Sequence, residues 1–367
     1  MYTHNANTSI RQAKLLLILQ MFNMSMLILP RIAGKVAGHD GYMLPVVGFV
    51  FGAIYIWTIT TLLKRFPGEG IDTIAPKVLT KGIGLIIVIL YIIKLLVGAG
   101  IEARMFAEMV SQVLLPKTPL PVIILILLFA VHYLIKSGLE ASGRMAEVVA
   151  YFVFIPLVLI LILIVAKTDV EQLLPIFTSS PKGFLAGSYY ASMTFMPLEF
   201  LLVIGCLVNK PGKLKSACFY VITVISIIEI IIIALTFTGV GMVTSTKQLW
   251  PVLTLMQSVQ LPGSFLENQE IFMMIWWIMS VYMYVSGSIY VASLTISKLA
   301  KFNRQNVTVM PLIPIVFFIS MIPSSLVESY NYLIEFNGKV GLVFLFITPF
   351  VLLIISKIRK IGGGVHE

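Results

Sequence analysis

Long apolar segments separated by short polar stretches make up most of the chain. Each segment has close to the roughly 20 residues that an α-helix needs to cross the hydrocarbon of a bilayer. Turn-forming and charged residues fill the gaps, as in Phe66-Pro67-Gly68-Glu69-Gly70. The pattern predicts an all-α polytopic membrane protein, one integral domain over residues 1–367, with ten spans at 12–36, 42–63, 83–113, 120–136, 145–166, 183–208, 214–241, 269–297, 309–327 and 338–357.

The first span cannot run as an unbroken helix, because Pro30 lies within it. Proline lacks a backbone N–H, and its ring clashes with the carbonyl four residues earlier, at a cost of about 3 kcal/mol. Asn23 and Ser25 lie just before this point and can bond backbone groups that a break leaves free. In hydrocarbon, a broken helix survives where it is buried in protein or lines a cavity. The pattern predicts a midplane ligand site, with a simple proline kink as the alternative, and the candidate contacts are Asn23, Met24, Ser25 and Leu27.

A second set of prolines lies at matching places in the two halves of the chain. Pro197 interrupts the sixth span as Pro30 interrupts the first, and Pro156 and Pro349 lie in the middle of the fifth and tenth. Five spans per half is an odd number, so the second half must be inverted relative to the first. Interrupted spans at matching positions of inverted repeats indicate a midplane site in secondary transporters. We therefore predict inverted repeats at 11–166 and 183–358, with Thr194, Phe195 and Glu199 beside the second break as further ligand contacts.

The third span carries five ionisable or small residues that a lipid-facing helix would not need. Lys94, Gly98 and Glu102 are four residues apart and share one helix face. Charged groups inside a membrane are costly and usually face a bundle interior or a wet cavity. Lys94 is therefore a candidate switch residue, and Gly98 and Glu102 are candidate ligand contacts. Arg104 and Glu108 are also four apart, and we interpret them as a structural ion pair near the outer end of the span.

Two later spans add polar candidates. Glu229 lies in the middle of span 7 and needs a partner or a proton, so we assign it to the structural or switch group together with Pro30 and Pro197. A stripe on span 8 is a candidate cavity lining and consists of Tyr282, Tyr284, Tyr290, Ser286 and Ser288, with Tyr282 and Ser286 as candidate ligand contacts. Tyrosines that pack between helices are the alternative for this stripe.

Composition and charge support the membrane class. The chain is 59% hydrophobic and 11% charged, against about 45–50% and about 25% in soluble domains. Its net charge of +10 forms no basic face on a soluble segment, so we expect no nucleic-acid partner. Seventeen Lys and Arg residues fall on one side of the predicted spans and seven on the other, which predicts that both termini are cytoplasmic. For the outer connection at 242–268, the sequence Leu249-Trp250-Pro251 and the apolar stretch after it predict a short helix, with a loop anchored by an interfacial tryptophan as the alternative.

No nucleophile–base pair and no metal-ligand spacing is visible in the sequence. We therefore expect neither catalysis, nor a metal, nor a cofactor.

Several motifs resemble those of one family, the B subunits of spore germinant receptors, also called spore germination permeases. These motifs are Leu29-Pro30-Arg31 before Asp40-Gly41, Phe66-Pro67-Gly68, Glu102-Ala103-Arg104-Met105-Phe106-Ala107-Glu108-Met109, Leu114-Leu115-Pro116-Lys117-Thr118-Pro119, and Leu249-Trp250-Pro251 with Gln257-Ser258. The resemblance covers essentially the whole chain, although Asn23 and Ser25 stand where the family usually has glycine or a small residue.

The resemblance implies the LeuT-like five-plus-five fold of the amino acid–polyamine–organocation superfamily. It also implies location in the inner spore membrane, a receptor A subunit and a lipoprotein C subunit as partners, and sensing of a small amino acid-like germinant. Three functions stay open at this point: a germinant sensor that switches conformation, an amino acid–proton symporter, and a subunit that conducts water or ions. Function must be argued from the site, since the fold allows all three.

Overall fold

The structure is a computed structural model that describes residues 8–165, 168, 170–258, 269–302 and 306–363. The side chains of Met24 and Met26 are outside this description. The α-helices are α1 (Ile10–Leu27), α2 (Leu29–Ala37), α3 (Leu44–Arg65), α4 (Ile71–Val78), α5 (Lys81–Val113), α6 (Leu120–Lys136), α7 (Leu139–Val165), α8 (Pro181–Ser192), α9 (Leu201–Ile204), α10 (Leu214–Val240), α11 (Met242–Lys247), α12 (Pro251–Ser258), α13 (Gln269–Leu299), α14 (Asn306–Ser320), α15 (Leu326–Phe336) and α16 (Thr348–Ile358).

Seven helical stretches among the described residues are long and apolar enough to cross a membrane, judged by length and composition. Two further apolar helices, Leu120–Lys136 and Val307–Ser320, are shorter. Together with α1, these helices account for the ten predicted spans. The seven stretches are Leu29–Arg65, Lys81–Val113, Leu139–Ile162, Pro181–Leu207, Pro211–Val240, Met274–Leu299 and Leu326–Ile358.

The first span is interrupted at a single residue. Helix α1 ends at Leu27, Ile28 is a turn, and α2 begins at Leu29. Pro30 therefore lies in the first turn of α2, where a missing N–H breaks no helical hydrogen bond. The predicted break is present, but Ile28 keeps nearly helical dihedrals (φ −106°, ψ −36°), so the span bends rather than unwinds.

The sixth span changes its winding instead. After α8 the chain continues as a 3₁₀-helix over Met193–Phe200, with Pro197 inside it, before α9 resumes the α-helical winding. A 3₁₀-helix of this length is uncommon, because its hydrogen bonds are less well aligned than those of an α-helix. All eight of its residues are buried, and the segment packs against α1.

The predicted boundary between spans 9 and 10 was wrong. Helix α14 ends at Ser320, and the last span begins at Leu326 rather than at 338. Polar residues such as Glu328 and Glu335 lower the hydropathy of its first half, and the prediction therefore placed that half in a connection. This span reaches α16 through π-helical turns at Asn337–Gly341 and Val343–Ile347, and the first of these packs on the 3₁₀ segment.

Polar contacts close both ends of the bundle. At the end where α1 begins, Thr8 forms a parallel bridge with Val208, and Arg65 donates to the carbonyls of Ile361 (2.9 Å) and Ser356 (3.0 Å). At the opposite end, the guanidinium of Arg31 stacks over Tyr330, 4.6 Å from the ring centroid. In the described part of 242–268, α11 and α12 confirm the predicted short helix; residues 259–268 are outside the description.

A buried carboxylate ties the connection between α7 and α8 to the start of α3. Asp40 lies in the 3₁₀ turn Gly38–Met43 and accepts backbone N–H groups from Phe177 (2.6 Å) and Ser179 (2.7 Å). Burial alone would raise the pKa of Asp40, but the hydrogen bonds from Ser179 and Phe177 outweigh it and hold the pKa below its usual value. One ionised side chain of the first half thus binds the connection that leads into the second half.

Candidate functional site

The polar centre of the bundle lies where α1, α5, the 3₁₀ segment, α10 and α13 meet. These elements pack on one another directly, with α5 against α13 and α1 against α10 and the 3₁₀ segment. Their facing side chains are apolar except for three carboxylates, one ammonium and a few hydroxyl and amide groups. We call the side chains of Asn23, Ser25, Lys94, Glu102, Thr194, Glu199 and Glu229 the central cluster.

The first contact of the central cluster joins α1 to α5. Asn23 donates from Nδ2 to Oε2 of Glu102 at 2.9 Å, and both side chains are buried. Asn23 lies about one and a half turns before the break at Ile28, so the amide is held close to the interruption. Glu102 is thereby placed on the face of α5 that the spacing of Lys94 and Gly98 predicts.

The second contact joins α1, α10 and the sixth span. The hydroxyl of Ser25 lies 2.9 Å from Oε1 of Glu229 and 3.1 Å from the carbonyl of Met21. The Thr194 hydroxyl lies near Glu229 but donates to the carbonyl of Ala191 at 2.7 Å. Because the Ser25 hydroxyl has one hydrogen, donation to the Met21 carbonyl leaves its oxygen free to accept from a protonated Glu229 carboxyl, while donation to Glu229 suits a carboxylate. The surroundings of Glu229 therefore accommodate both its protonated and its ionised form.

The third contact is a buried ion pair. The ammonium of Lys94 bonds Oε1 of Glu199, and both side chains are at most 2% exposed. Tyr91, nearly one turn earlier on α5, donates to the backbone carbonyl of Glu199 at 2.9 Å. These two bonds hold the 3₁₀ segment against α5 at its final turn.

The charges of the central cluster do not balance. Glu102, Glu199 and Glu229 are buried, and among the described cationic side chains only Lys94 forms an ion pair with any of them. With all three ionised, two negative charges would remain uncompensated in a dry interior, which is costly. Oε2 of Glu199 and Oε2 of Glu229 are also buried without a hydrogen-bond partner among the described residues. A cationic ligand or protons would neutralise the excess negative charge and would supply hydrogen-bond donors to the two unpaired oxygens.

Tyr284 of α13 lies against the central cluster, between Gly98 of α5 and Phe200 of the 3₁₀ segment. Its hydroxyl faces Gly98, where a Cβ would come within 3.3 Å of the oxygen, and its ring packs on Phe200 at 6.0 Å between centroids. Tyr284 belongs to the tyrosine stripe of α13 that is a candidate cavity lining. Tyr91 was missed as a site residue, and the available signal was its position nearly one helical turn from Lys94.

Other predicted residues lie around the cluster or away from it. Leu27 and Phe195 are buried in the surrounding core, and Phe195 packs on α3 at Gly52. Tyr282 is not part of the cluster, since its hydroxyl donates to the carbonyl of Ala130 on α6 at 3.3 Å. Ser286 lies in a cavity of about 30 Å³ between α1, α7, α9 and α13. The predicted contact of the Met24 side chain falls outside the described residues.

The predicted pair of Arg104 and Glu108 forms, with nitrogen–oxygen distances of 2.9 and 2.8 Å. It lies on α5 beyond the central cluster, and its role as a structural pair stays a prediction. No group of three His, Cys, Asp or Glu side chains suited to a metal occurs among the described residues.

An interrupted first span and a rewound sixth span around buried charges define this chain as a secondary-transporter fold of the LeuT type, as predicted. Solved structures agree at the level of the fold. MhsT in complex with L-phenylalanine superposes with a TM-score of 0.69 at 14% identity, over 96% of this chain and 99% of that one. MHP1, a nucleobase-cation-symport-1 family transporter in a closed conformation with bromovinylhydantoin bound, gives 0.65 at 14% identity, over 93% and 80%.

The chain belongs to the spore germination permease family, described as "Spore germination protein", whose profile matches residues 7–329. Spore germination protein YndE of Bacillus subtilis (strain 168) is 27% identical over 99% of both chains. Spore germination protein A2 of the same organism is 28% identical over 93% of both. The predicted family is thereby confirmed.

Proposed function

We propose that this protein is the germinant-sensing subunit of a spore germination receptor and that it binds a small amino acid-like ligand at the central cluster. The observation that carries the proposal is the charge imbalance, with three buried carboxylates facing one ammonium. An amino acid brings the ammonium that Glu102 or Glu229 lacks. Its carboxylate can be received by the Lys94 ammonium or by backbone N–H groups at the start of α2.

Binding would act as a switch because the cluster spans elements that can move separately. Glu102 lies on α5, Glu199 on the 3₁₀ segment and Glu229 on α10, and each bonds a different neighbour. A ligand that favours one arrangement of these bonds shifts the population toward the conformation that contains it. That MhsT binds L-phenylalanine in the same fold supports an amino acid as the ligand class.

The setting of this function is also proposed. The protein would act in the inner spore membrane with both termini cytoplasmic, together with a receptor A subunit and a lipoprotein C subunit. The relatives' naming as spore germination proteins and the Lys/Arg bias of the sequence support this setting.

Ligand binding can be tested directly on the purified protein in nanodiscs. Radiolabelled L-amino acids would be screened for binding, and Ser25→Leu and Thr194→Leu compared with wild type. Both replacements put a bulky apolar group against Glu229, so each should weaken binding at least tenfold. Thr60→Leu is a matched control, since this buried hydroxyl bonds only its own helix, at the carbonyl of Ile56. Normal binding by both site variants would place the ligand elsewhere.

A proton-coupled symporter is the second candidate, favoured by the ability of the Glu229 environment to accept either protonation state. Uptake of the bound amino acid into proteoliposomes distinguishes the two functions. Accumulation driven by a pH gradient identifies a transporter, whereas binding without uptake identifies a sensor.

A further inference from the structure

A groove lies outside the central cluster, on the lipid-facing side of the bundle. It has a volume of about 680 Å³ and runs between α1, α7 and α10. Its walls are apolar, and its rim at the end where α1 begins is charged and aromatic. The wall residues are Leu15, Ala150, Phe154, Ile155, Val158 and Leu159, and the rim residues are Arg11, Lys14, Glu147, Tyr151 and Tyr220.

The rim is ordered by contacts among its own side chains. Arg11 donates to the hydroxyl of Tyr151 at 3.1 Å and lies 3.6 Å from Glu147. The ammonium of Lys14 lies 4.4 Å from the ring centroid of Tyr220. Arg11 keeps further N–H donors beyond these contacts, since a guanidinium has five, and its side chain is 64% exposed. The rim carries two cations and one carboxylate, which is a net positive charge.

The dimensions and polarity of this groove fit one lipid molecule. From Glu147 to Leu159, α7 rises about 18 Å, comparable to the length of an extended acyl chain. Tyr151 and Tyr220 are more than half exposed, as expected of aromatic side chains at the level of lipid headgroups. Basic pockets between membrane helices commonly bind anionic headgroups. The net positive rim favours an anionic lipid over a zwitterionic one.

We propose that this groove binds an anionic phospholipid, with the phosphate on Arg11 and Lys14 and one acyl chain along Ala150, Phe154 and Leu159. Glu147 acts here as a positioning residue that holds the guanidinium at the rim. The lipid would contact α1 over its first turns, on the same helix that carries Asn23 and Ser25. The site does not depend on the proposed germinant function, because it requires only that the helices lie in a bilayer.

The test uses the full chain, delipidated in detergent, and native mass spectrometry with palmitoyl-oleoyl phosphatidylglycerol, phosphatidylethanolamine or phosphatidylcholine. We expect phosphatidylglycerol to be retained about tenfold more tightly than phosphatidylcholine. The double variant Arg11→Gln/Lys14→Gln should remove this preference. Lys136→Gln/Lys301→Gln is the matched control, since both lysines are exposed and do not line the groove, and it should keep the preference.

A second variant tests the apolar part of the groove. Ala150→Leu adds three carbons to the wall and should weaken retention of phosphatidylglycerol while leaving the circular dichroism spectrum unchanged. Equal retention of the three lipids by wild type would overturn the proposal. So would a preference that survives in Arg11→Gln/Lys14→Gln, or phosphatidylethanolamine bound as tightly as phosphatidylglycerol, which would indicate that Glu147 recruits the headgroup amine.

Discussion

Each of the three buried glutamates has a different kind of partner. Glu199 has an ammonium, Glu102 has an amide N–H, and Glu229 has the Ser25 hydroxyl. The ion pair can exist without ligand, because Lys94 compensates Glu199 directly. Glu102 and Glu229 are the groups for which a ligand ammonium or a proton makes the larger difference.

Glutamine replacements should therefore distinguish the ion-paired Glu199 from Glu102, which has no cationic partner among the described residues. Glu199→Gln leaves Lys94 buried without a counter-charge and should cost about 3–5 kcal/mol of stability. Adding Lys94→Met should recover most of this loss, because neither member of the former pair then carries a buried charge. Glu102→Gln keeps an oxygen for Asn23, so stability should change by less than about 1 kcal/mol while ligand binding falls.

Thermal unfolding of the purified variants in detergent, with binding measured in parallel, checks these outcomes. Equal destabilisation by Glu199→Gln and Glu102→Gln would contradict the distinction. If Lys94→Met failed to restore Glu199→Gln, the ion pair would not be the cause of the loss.

The sequence was informative about single helix faces but not about long-range partners. Spacing of four residues correctly placed Lys94, Gly98 and Glu102 on one face and Arg104 beside Glu108. It could not pair Lys94 with Glu199, because that contact joins residues 105 positions apart and depends on how the two halves pack. The same holds for Ser25 and Glu229, where the sequence showed only that Glu229 needed a partner.

At the level of elements, a glycine lets the start of α5 lie very close to the backbone of α4. A Cβ at Gly84 would lie 2.3 Å from the backbone nitrogen of Pro76 and 2.5 Å from the carbonyl carbon of Ala75. Because these are backbone atoms, the two helices would have to separate. The close approach is possible only without a side chain.

Gly84→Ala should destabilise the protein by about 1–3 kcal/mol, the usual cost of overpacking. Gly82 is a matched control two residues earlier on the same helix, where a Cβ meets nothing within 4 Å. Gly82→Ala should stabilise slightly, since alanine favours the helix by up to about 1 kcal/mol. Melting temperatures of the two variants in one detergent decide the matter, and similar shifts for both would refute the packing explanation.

Helix ends show which parts of the fold a sequence can predict. Pro30 and Pro197 correctly indicated irregular first and sixth spans, because the missing N–H acts locally. The start of the last span was missed although Ser325 accepts the N–H of Glu328 at 3.2 Å, a cap whose serine and glutamate are visible in the sequence. The form of each interruption, a bend in one and a 3₁₀ segment in the other, depends on neighbouring helices and could not be read locally.

For the whole molecule, the contact of Asp40 with the connection at Phe177 and Ser179 fastens the first five spans to the sixth. Its lowered pKa means that the ionised form is favoured by folding. The stabilisation is therefore present above the unfolded pKa of about 3.9 and is lost as the pH falls through the lower folded value.

Asp40→Asn should cost about 1–3 kcal/mol at neutral pH, because an amide has one acceptor oxygen for the two N–H groups and the other is left unpaired. The difference between wild type and variant should shrink once the pH is below about 3.9. Unfolding temperatures measured across this pH range provide the test. A difference that is the same at pH 7 and in acid would show that the charge of Asp40 is not involved.

The overall architecture was the most predictable level. Apolar segment lengths predict ten spans, the matching prolines predict two inverted halves of five, and the family resemblance implies the LeuT-like fold. The repeat boundaries at 11–166 and 183–358 stay predictions. Tertiary closure of the two ends was not predictable, since Arg65 and Arg359 bind carbonyls that no sequence pattern marks.

The 3₁₀ segment at Met193–Phe200 has a mechanical consequence. Eight residues wound at about 2.0 Å per residue extend about 16 Å, whereas the same residues in an α-helix extend about 12 Å. The sixth span therefore holds about 4 Å of surplus length next to Glu199. A change of this segment from 3₁₀ to α-helical winding would shorten it by about 4 Å and would draw α8 toward α9 along the axis of the span.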